Sequence, residues 1–431
     1  MPIILDTSAA GFAAQFEAFL GSKREVSEDV DAAAREILRG VEARGDEALI
    51  EYSKKFDRVD LTPQTIRISA QEIDAAFEKA DRKTVEALRF AKDRIESHHR
   101  KQVPQDQRYI DPLGVELGYR WSALESVGIY VPGGKAAYPS SVLMNAVPAV
   151  VAGVPRISMC VPAPDGAINP LVLIAAKLAG VTEIYRVGGA QAIAALAYGT
   201  HMIAPVAKIV GPGNAYVAAA KRLVFGRVGI DMVAGPSEVL VIADGDANPD
   251  WIAADLLAQA EHDEAAQSIL MTDSRALADE VQKAVQSQLK TLPREKIAAE
   301  SWKNFGAVIV LKNLAEAPAL ADRIAAEHLE LLVAEPESLM ARIRNAGAFF
   351  IGQYTPEAIG DYVGGSNHVL PTARAARYAS GLGVLDFMKR SSVLKLAAEQ
   401  LHALGGAAMT LGEAEGLTAH ARSISIRLNR G

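Results

Sequence analysis

Four short segments hold side chains that could do chemistry together. Gln259 and His262, in QAEHD, are three residues apart and share one helical face, so their donor atoms can meet one cation. Gln is an uncommon zinc ligand, and a polar helix end explains the pair equally well. Glu327 and His328, in AAEHLEL, fall where a helical pattern passes into a strand pattern. Neighbours on a regular helix diverge by about 100°, so only such a junction lets both face one substrate. A carboxylate beside an imidazole offers a general base and an acid/base partner suited to neutral pH; a surface Glu beside a capping His is the plainer alternative. Asp361 and His368 lie in the glycine-rich loop GDYVGGSNHVLP, as an oxygen ligand and a polar contact, or simply as parts of an ordered turn. Glu415 and His420, in EAEGLTAHARSISIR, are separated by the helix-breaking Gly416 and can face one pocket, or form a solvated helix end.

Three glycine-rich turns close expected strands: Tyr130-Val131-Pro132-Gly133-Gly134, Val187-Gly188-Gly189-Ala190-Gln191 and Val210-Gly211-Pro212-Gly213-Asn214. At the carboxyl edge of a parallel sheet, such turns let backbone and helix N-termini approach a pyrophosphate. None has the GxGxxG spacing, but three together favour a nucleotide site, with Tyr130 placed to stack on a ring. Cys160, in the apolar RISMCVPAP, has no base beside it and reads as core, which argues against thiol-dependent chemistry.

The elements that must position these groups are of the α/β class. Ser27 and the capping box Ser69-x-x-Glu72 start amphipathic helices, with a short strand expected at Ile66-Arg67-Ile68. From Val127 to Met232, the runs VGIYV, RISMCV, EIYRV and KIVG alternate with Ala-rich helical segments, the mark of a doubly wound parallel sheet. A second alternation, VLVIA, SILMT, AVIVL, LELLV and AFFIG, predicts a second such sheet. The expected division is a helical segment over 1–26, one α/β domain from 27–126 and 239–380, an inserted nucleotide-binding α/β domain at 127–238, and a helical tail at 381–431. The cleft is expected between the two sheets. The tail lacks a core of its own and is expected to dock on a second subunit.

Composition removes several classes. The 431 residues are half apolar with a formal net charge of −7, and no basic block suits a nucleic-acid backbone. The most apolar run, 142–154, is too short for a membrane span, and MPIILDTSAAGF lacks a basic segment ahead of its apolar stretch, so the expected location is the cytoplasm. A single cysteine excludes an intrachain disulfide and a multi-thiolate zinc site.

Seven segments, in order from about residue 27 to the end, resemble the histidinol dehydrogenase family: GIYVPGGKAAYPSSVLMNAVPAVVAGV, KIVGPGNAYVAAAK, VGIDMVAGPSE, QAEHD, AEHLEL, GDYVGGSNHVLP and EAEGLTAH. The resemblance implies two incomplete Rossmann-like, aldehyde-dehydrogenase-like domains and an NAD+-linked oxidation of L-histidinol to L-histidine, the last step of histidine biosynthesis. It also implies Zn2+ bound by Gln259, His262, Asp361 and His420. Substrate contacts would come from Ser237, His328 and Glu415 together with the metal ligands, and cofactor contacts from Tyr130, Gln191 and Asn214. Glu327 would activate water and His328 would act as acid/base. The family's intertwined homodimer would place Glu415 and His420 in the partner's site. A zinc-dependent amide hydrolase is the competing enzyme class, and a ligand-binding protein without turnover a third; NADH formation from histidinol separates all three.

Overall fold

The apolar runs become short strands in the computed structural model of the chain, which describes residues 2–21, 28–133 and 138–429. Ser27, expected to open a helix, and Gly134 of the first turn lie outside the described residues. The strands, in chain order, are β1 (Ile3–Asp6), β2 (Gln107–Ile110), β3 (Glu116–Ala123), β4 (Val127–Tyr130), β5 (Ile157–Cys160), β6 (Glu183–Tyr185) and β7 (Lys208–Val210). They continue with β8 (Gly229–Ile230), β9 (Glu238–Ala243), β10 (Gln267–Thr272), β11 (Ala307–Val310), β12 (His328–Leu332), β13 (Ala348–Ile351) and β14 (Met388–Lys395).

Of the three sheets among the described residues, two are parallel, with strand orders β6-β5-β4-β7-β8 and β1-β11-β10-β9-β12-β13. Strands β4, β5, β9 and β10 are buried along their whole length, as expected of continuous apolar runs covered by helices on both faces. The third sheet is antiparallel, in the order β14-β3-β2.

The structure departs from the expected elements and their grouping in four places. The helices of 27–126 belong with the five-stranded sheet, not with the second one. Glu28–Arg44 packs on Gly189–Tyr198 and Ala215–Val224, Ala70–Lys79 on Pro170–Leu178, and Arg82–Arg100 on Pro139–Val151. Ile37, Leu38, Val41 and Leu49 thus bury their apolar stripe in one core with Ile193 and Leu196. The strand expected at 66–68 shrinks to a single bridge between Arg67 and Tyr185, because Pro63 begins a short helix, Pro63–Ile66, just ahead of it.

Residues 1–26 are not wholly helical: β1 pairs in parallel with β11, and Phe16 and Phe19 of the helix Phe12–Gly21 enter the core of the six-stranded sheet. The tail, expected to be helical only, contributes β14, which pairs with β3 from Met388 opposite Ala123 to Lys395 opposite Glu116. Its helices, Ala398–Ala414 and Thr418–Arg427, pack on each other. Among the described residues, no helix is long and apolar enough to cross a membrane.

Candidate active site

Glu327 and His328 stand where the helix Ala317–Ile324 has ended and β12 begins, so the chain is already extended at His328. Both are buried, at 5% exposure each. The Glu238 N–H donates to Glu327 Oε2 at 3.1 Å, from the first residue of the adjacent β9. Burial pushes the Glu327 carboxyl well above its ordinary 4.5; the Glu238 N–H and the Ser237 hydroxyl oppose that push, while the Glu238 and Asp361 carboxylates add to it.

The His328 ring is held from one side. Its Nδ1 lies 3.1 Å from the Glu238 carbonyl, 3.1 Å from Gln259 Oε1 and 3.4 Å from Glu357 Oε2. Facing the Glu238 carbonyl and the Gln259 amide oxygen, both acceptors, Nδ1 carries the hydrogen, and Nε2 keeps a lone pair. Nε2 is buried without a hydrogen-bond partner, 3.9 Å from Asp361 Oδ1. Burial lowers the His328 pKa to about 4, although the Asp361 charge and the Glu238 carbonyl favour protonation. The neutral ring with a free Nε2 is the form a general base needs.

Behind His328 lies a string of carboxyls that sequence reasoning missed. Glu330, two residues along β12 and so on the same face, accepts the Glu357 N–H at 2.7 Å and shares a hydrogen bond with Asp255. Burial pushes Glu330 and Glu357 well above 4.5 and Asp255 up to about 6. In LELLV, Glu330 is the one polar residue of a core strand, and that was the available signal.

The candidate metal ligands divide. Gln259, fully buried in the last turn of the helix Pro249–Ala260, touches His328. Asp361 approaches it from the helix Glu357–Tyr362, and His262 is close enough for its charge to act on both His328 and His368. His420 and Glu415 instead sit exposed in the tail hairpin. Among the described residues, no three His, Cys, Asp or Glu side chains gather as they would to hold a metal within one chain. The nitrogen and oxygen donors present suit a borderline cation such as zinc, and two buried nitrogens beside them, Gln259 Nε2 and His328 Nε2, lack partners. Three of the four candidate ligands, Gln259, His262 and Asp361, thus lie near His328, and their donor types fit such a cation. His368 joins the two units, with Nδ1 2.9 Å from the Asp361 carbonyl and Nε2 3.3 Å from the Ser141 hydroxyl.

Tyr130, Gln191 and Asn214, from three separate turns, line one cavity of about 520 Å³. It does not lie between the two sheets, as expected, because helices Glu28–Arg44 and Asp46–Asp57 fold over the carboxyl ends of the five-stranded sheet and form its far wall. The Gly189 N–H donates to the Tyr130 hydroxyl at 3.1 Å, and Asn214 caps the helix Ala215–Val224 through the Val217 N–H at 3.1 Å. Gly211 lies at φ 108°, and a Cβ there would come 2.1 Å from the Tyr130 carbonyl oxygen, so only glycine fits. The turn is anchored below by the buried pair Lys221 and Asp231. Lys221 Nζ donates to the Gly211 carbonyl at 2.9 Å, and Asp231 Oδ2 accepts the Gly211 N–H at 2.8 Å. Cys160 is fully buried, and burial pushes its thiol far above the range in which a thiolate forms.

The family model described as histidinol dehydrogenase matches residues 21–428. The chain belongs to the histidinol dehydrogenase family. It is 68% identical over 429 residues to the histidinol dehydrogenase of Bradyrhizobium diazoefficiens, and 66% identical over 430 residues to that of Rhodopseudomonas palustris, each match covering 100% of both chains. The crystal structure of histidinol dehydrogenase from Elizabethkingia anophelis superposes with a TM-score of 0.95 at 37% identity, over 99% of this chain and 98% of that one. An acetylating aldehyde dehydrogenase from Geobacillus thermoglucosidasius shares the fold alone, with a TM-score of 0.50 at 13% identity, over 87% of this chain and 99% of that one. A histidinol dehydrogenase of this build is an oxidoreductase whose two parallel sheets match the expected fold class.

Proposed function

We propose that this chain oxidises L-histidinol to L-histidine through L-histidinaldehyde, reducing two NAD+, as a cytoplasmic homodimer that completes histidine biosynthesis. The observation that carries this reading is the buried Glu327-His328 pair, with a free Nε2 on the imidazole and three of the four candidate ligands around it. In the first half, His328 Nε2 takes the alcohol proton as hydride leaves the carbon for NAD+. In the second, Glu327 removes a proton from the water that adds to the aldehyde, and His328 takes the hydrate's hydroxyl proton as the second hydride departs.

Gln259, His262 and Asp361 of one chain with His420 of the partner subunit would hold Zn2+, which supplies a template for the substrate's imidazole and amine and a charge that keeps Glu327 ionised. Ser237 and the partner's Glu415 would complete the substrate contacts, and Tyr130, Gln191 and Asn214 would receive NAD+. The buried Cys160 supports an oxidation without a thiohemiacetal.

The test follows NADH. Glu327→Gln should slow oxidation of histidinaldehyde by roughly 10²-fold or more and that of histidinol far less, since only the second half needs an activated water. Equal losses would overturn the role. Mixing Glu327→Gln with His420→Ala subunits should restore about a quarter of the wild-type sites at random pairing, through heterodimers with one intact site each. No recovery after verified exchange would remove the shared site.

A further inference from the structure

We infer that Asp57 is the acceptor for a ribose diol in the dinucleotide cleft, and the group that turns away a 2′-phosphate. This rests on the reading of that cleft as the NAD+ site. In a sheet ordered β6-β5-β4-β7-β8, with β4 the first strand of the unit, a bound dinucleotide crosses the carboxyl ends and its ribose hydroxyls meet an acid after the second strand. Here that strand, β5, runs into Val161-Pro162-Ala163-Pro164 and offers no polar side chain. The next acid, Asp165, is exposed and occupied, held in two hydrogen bonds from Arg58 at 2.8 and 2.6 Å.

The missing acid arrives from another part of the chain. Asp57, the last residue of the helix Asp46–Asp57, lies against the end of β5 and the turn after β6. A Cβ placed on Gly188 would come 2.4 Å from the Pro162 side chain and 3.2 Å from Asp57 Oδ2. Asp57 accepts the Gly188 N–H, yet its Oδ2 is shielded and has no hydrogen-bond partner. Of the charged side chains lining the cavity, Glu36 and Lys55 are exposed, whereas Asp57 is half-buried beside Tyr130. The neighbouring Arg58 is committed to Asp165.

A neutral diol can donate both hydroxyls to such a carboxylate. A 2′-phosphate would set a second anion against it in a partly desolvated cavity, where like charges repel more strongly than in water. The same placement keeps phosphate from the N-terminus of the helix Gly189–Tyr198, which Asp57 and the Tyr130 hydroxyl already face. Burial holds the Asp57 carboxyl above its ordinary 3.8, against the Gly188 N–H and the Arg58 charge, as expected of an acceptor short of donors.

Steady-state rates with histidinol and either NAD+ or NADP+ test this. Asp57→Asn keeps the shape and removes the charge, and the ratio of kcat/KM for NADP+ to that for NAD+ should rise by about tenfold or more, mainly through KM. A ratio within about twofold of wild type, in a variant that melts like wild type, overturns the inference. Should that variant fold poorly, the wild type decides: stronger inhibition by ADP-ribose than by its 2′-phosphorylated form supports the assignment, and equal inhibition removes it. Gln191→Ala separates the two readings. An unchanged KM for NAD+ there overturns the cleft itself, whereas a raised KM beside an unmoved Asp57→Asn ratio removes only Asp57.

Discussion

The two parallel sheets are used from opposite ends. In the five-stranded sheet the cavity forms at the carboxyl ends: Tyr130 closes β4, Gly188 follows β6 and Gly211 follows β7. In the six-stranded sheet the candidate catalytic cluster forms at the amino ends: Glu238 opens β9 and His328 opens β12. Carboxyl ends feed into helix N-termini, whose partial positive charge suits an anionic dinucleotide, while the N–H groups of Gly188, Gly189 and Gly211 are already taken by Asp57, Tyr130 and Asp231. Amino ends receive helix C-termini, and the last turn of Pro249–Ala260, bearing Gln259, brings the partial negative charge that suits a cation. Backbone builds one site, and buried titratable side chains build the other.

That contrast can be broken most forcefully at the buried charge pair under the cavity. Lys221→Met leaves Asp231 buried and unpaired, so unfolding in urea should show a loss of roughly 3–5 kcal/mol, and KM for NAD+ should rise as the Gly211 turn loosens. If stability and KM both hold, the backbone of that turn does not depend on the pair.

A smaller effect of opposite sign is expected in the other sheet. Burial raises the Glu357 carboxyl well above the 4.5 of the unfolded chain, so as pH rises past 4.5 the folded chain holds its proton longer than the unfolded chain does, and stability falls over that interval. Glu357→Gln removes this slope. Its melting temperature should match wild type near pH 4.5 and exceed it at neutral pH, and a difference that does not grow with pH would deny the carboxyl its neutral state. His328 works the other way. Its pKa is 6.5 unfolded and about 4 folded, so its contribution is present above 6.5 and is lost as pH falls toward 4. The smallest effect belongs to Cys160→Ala, which should leave kcat for both halves within about twofold of wild type. A large loss confined to aldehyde oxidation would restore thiol chemistry.

How much of this was legible in the sequence follows from where the signals sit. Tyr130, Gln191 and Asn214 stood out because glycine turns at strand ends are local patterns, and the cavity collects all three. The far wall, with Asp57, comes from a helix whose residues carry no mark of where it packs. β2, β3 and β14 were missed because strands such as MKRSSVLK, exposed along most of their length, show no alternation toward a core. Glu330, Glu357 and Asp255 are single carboxyls in apolar or helical surroundings, and only tertiary packing makes them one string.

The first strand sets a schedule for making the molecule. β1 pairs with β11, about 300 residues later in the chain. At the roughly 5–20 residues per second of ribosomal synthesis, Ile3, Ile4 and Leu5 wait about 15–60 s for the strand they will join. The five-stranded unit is translated within that interval and can close around its own helices, whereas the six-stranded sheet gains its outermost strand only by recruiting residues made about 300 positions earlier. Until then, an apolar strand without a partner trails from the nascent chain, the kind of segment that holdase chaperones shield.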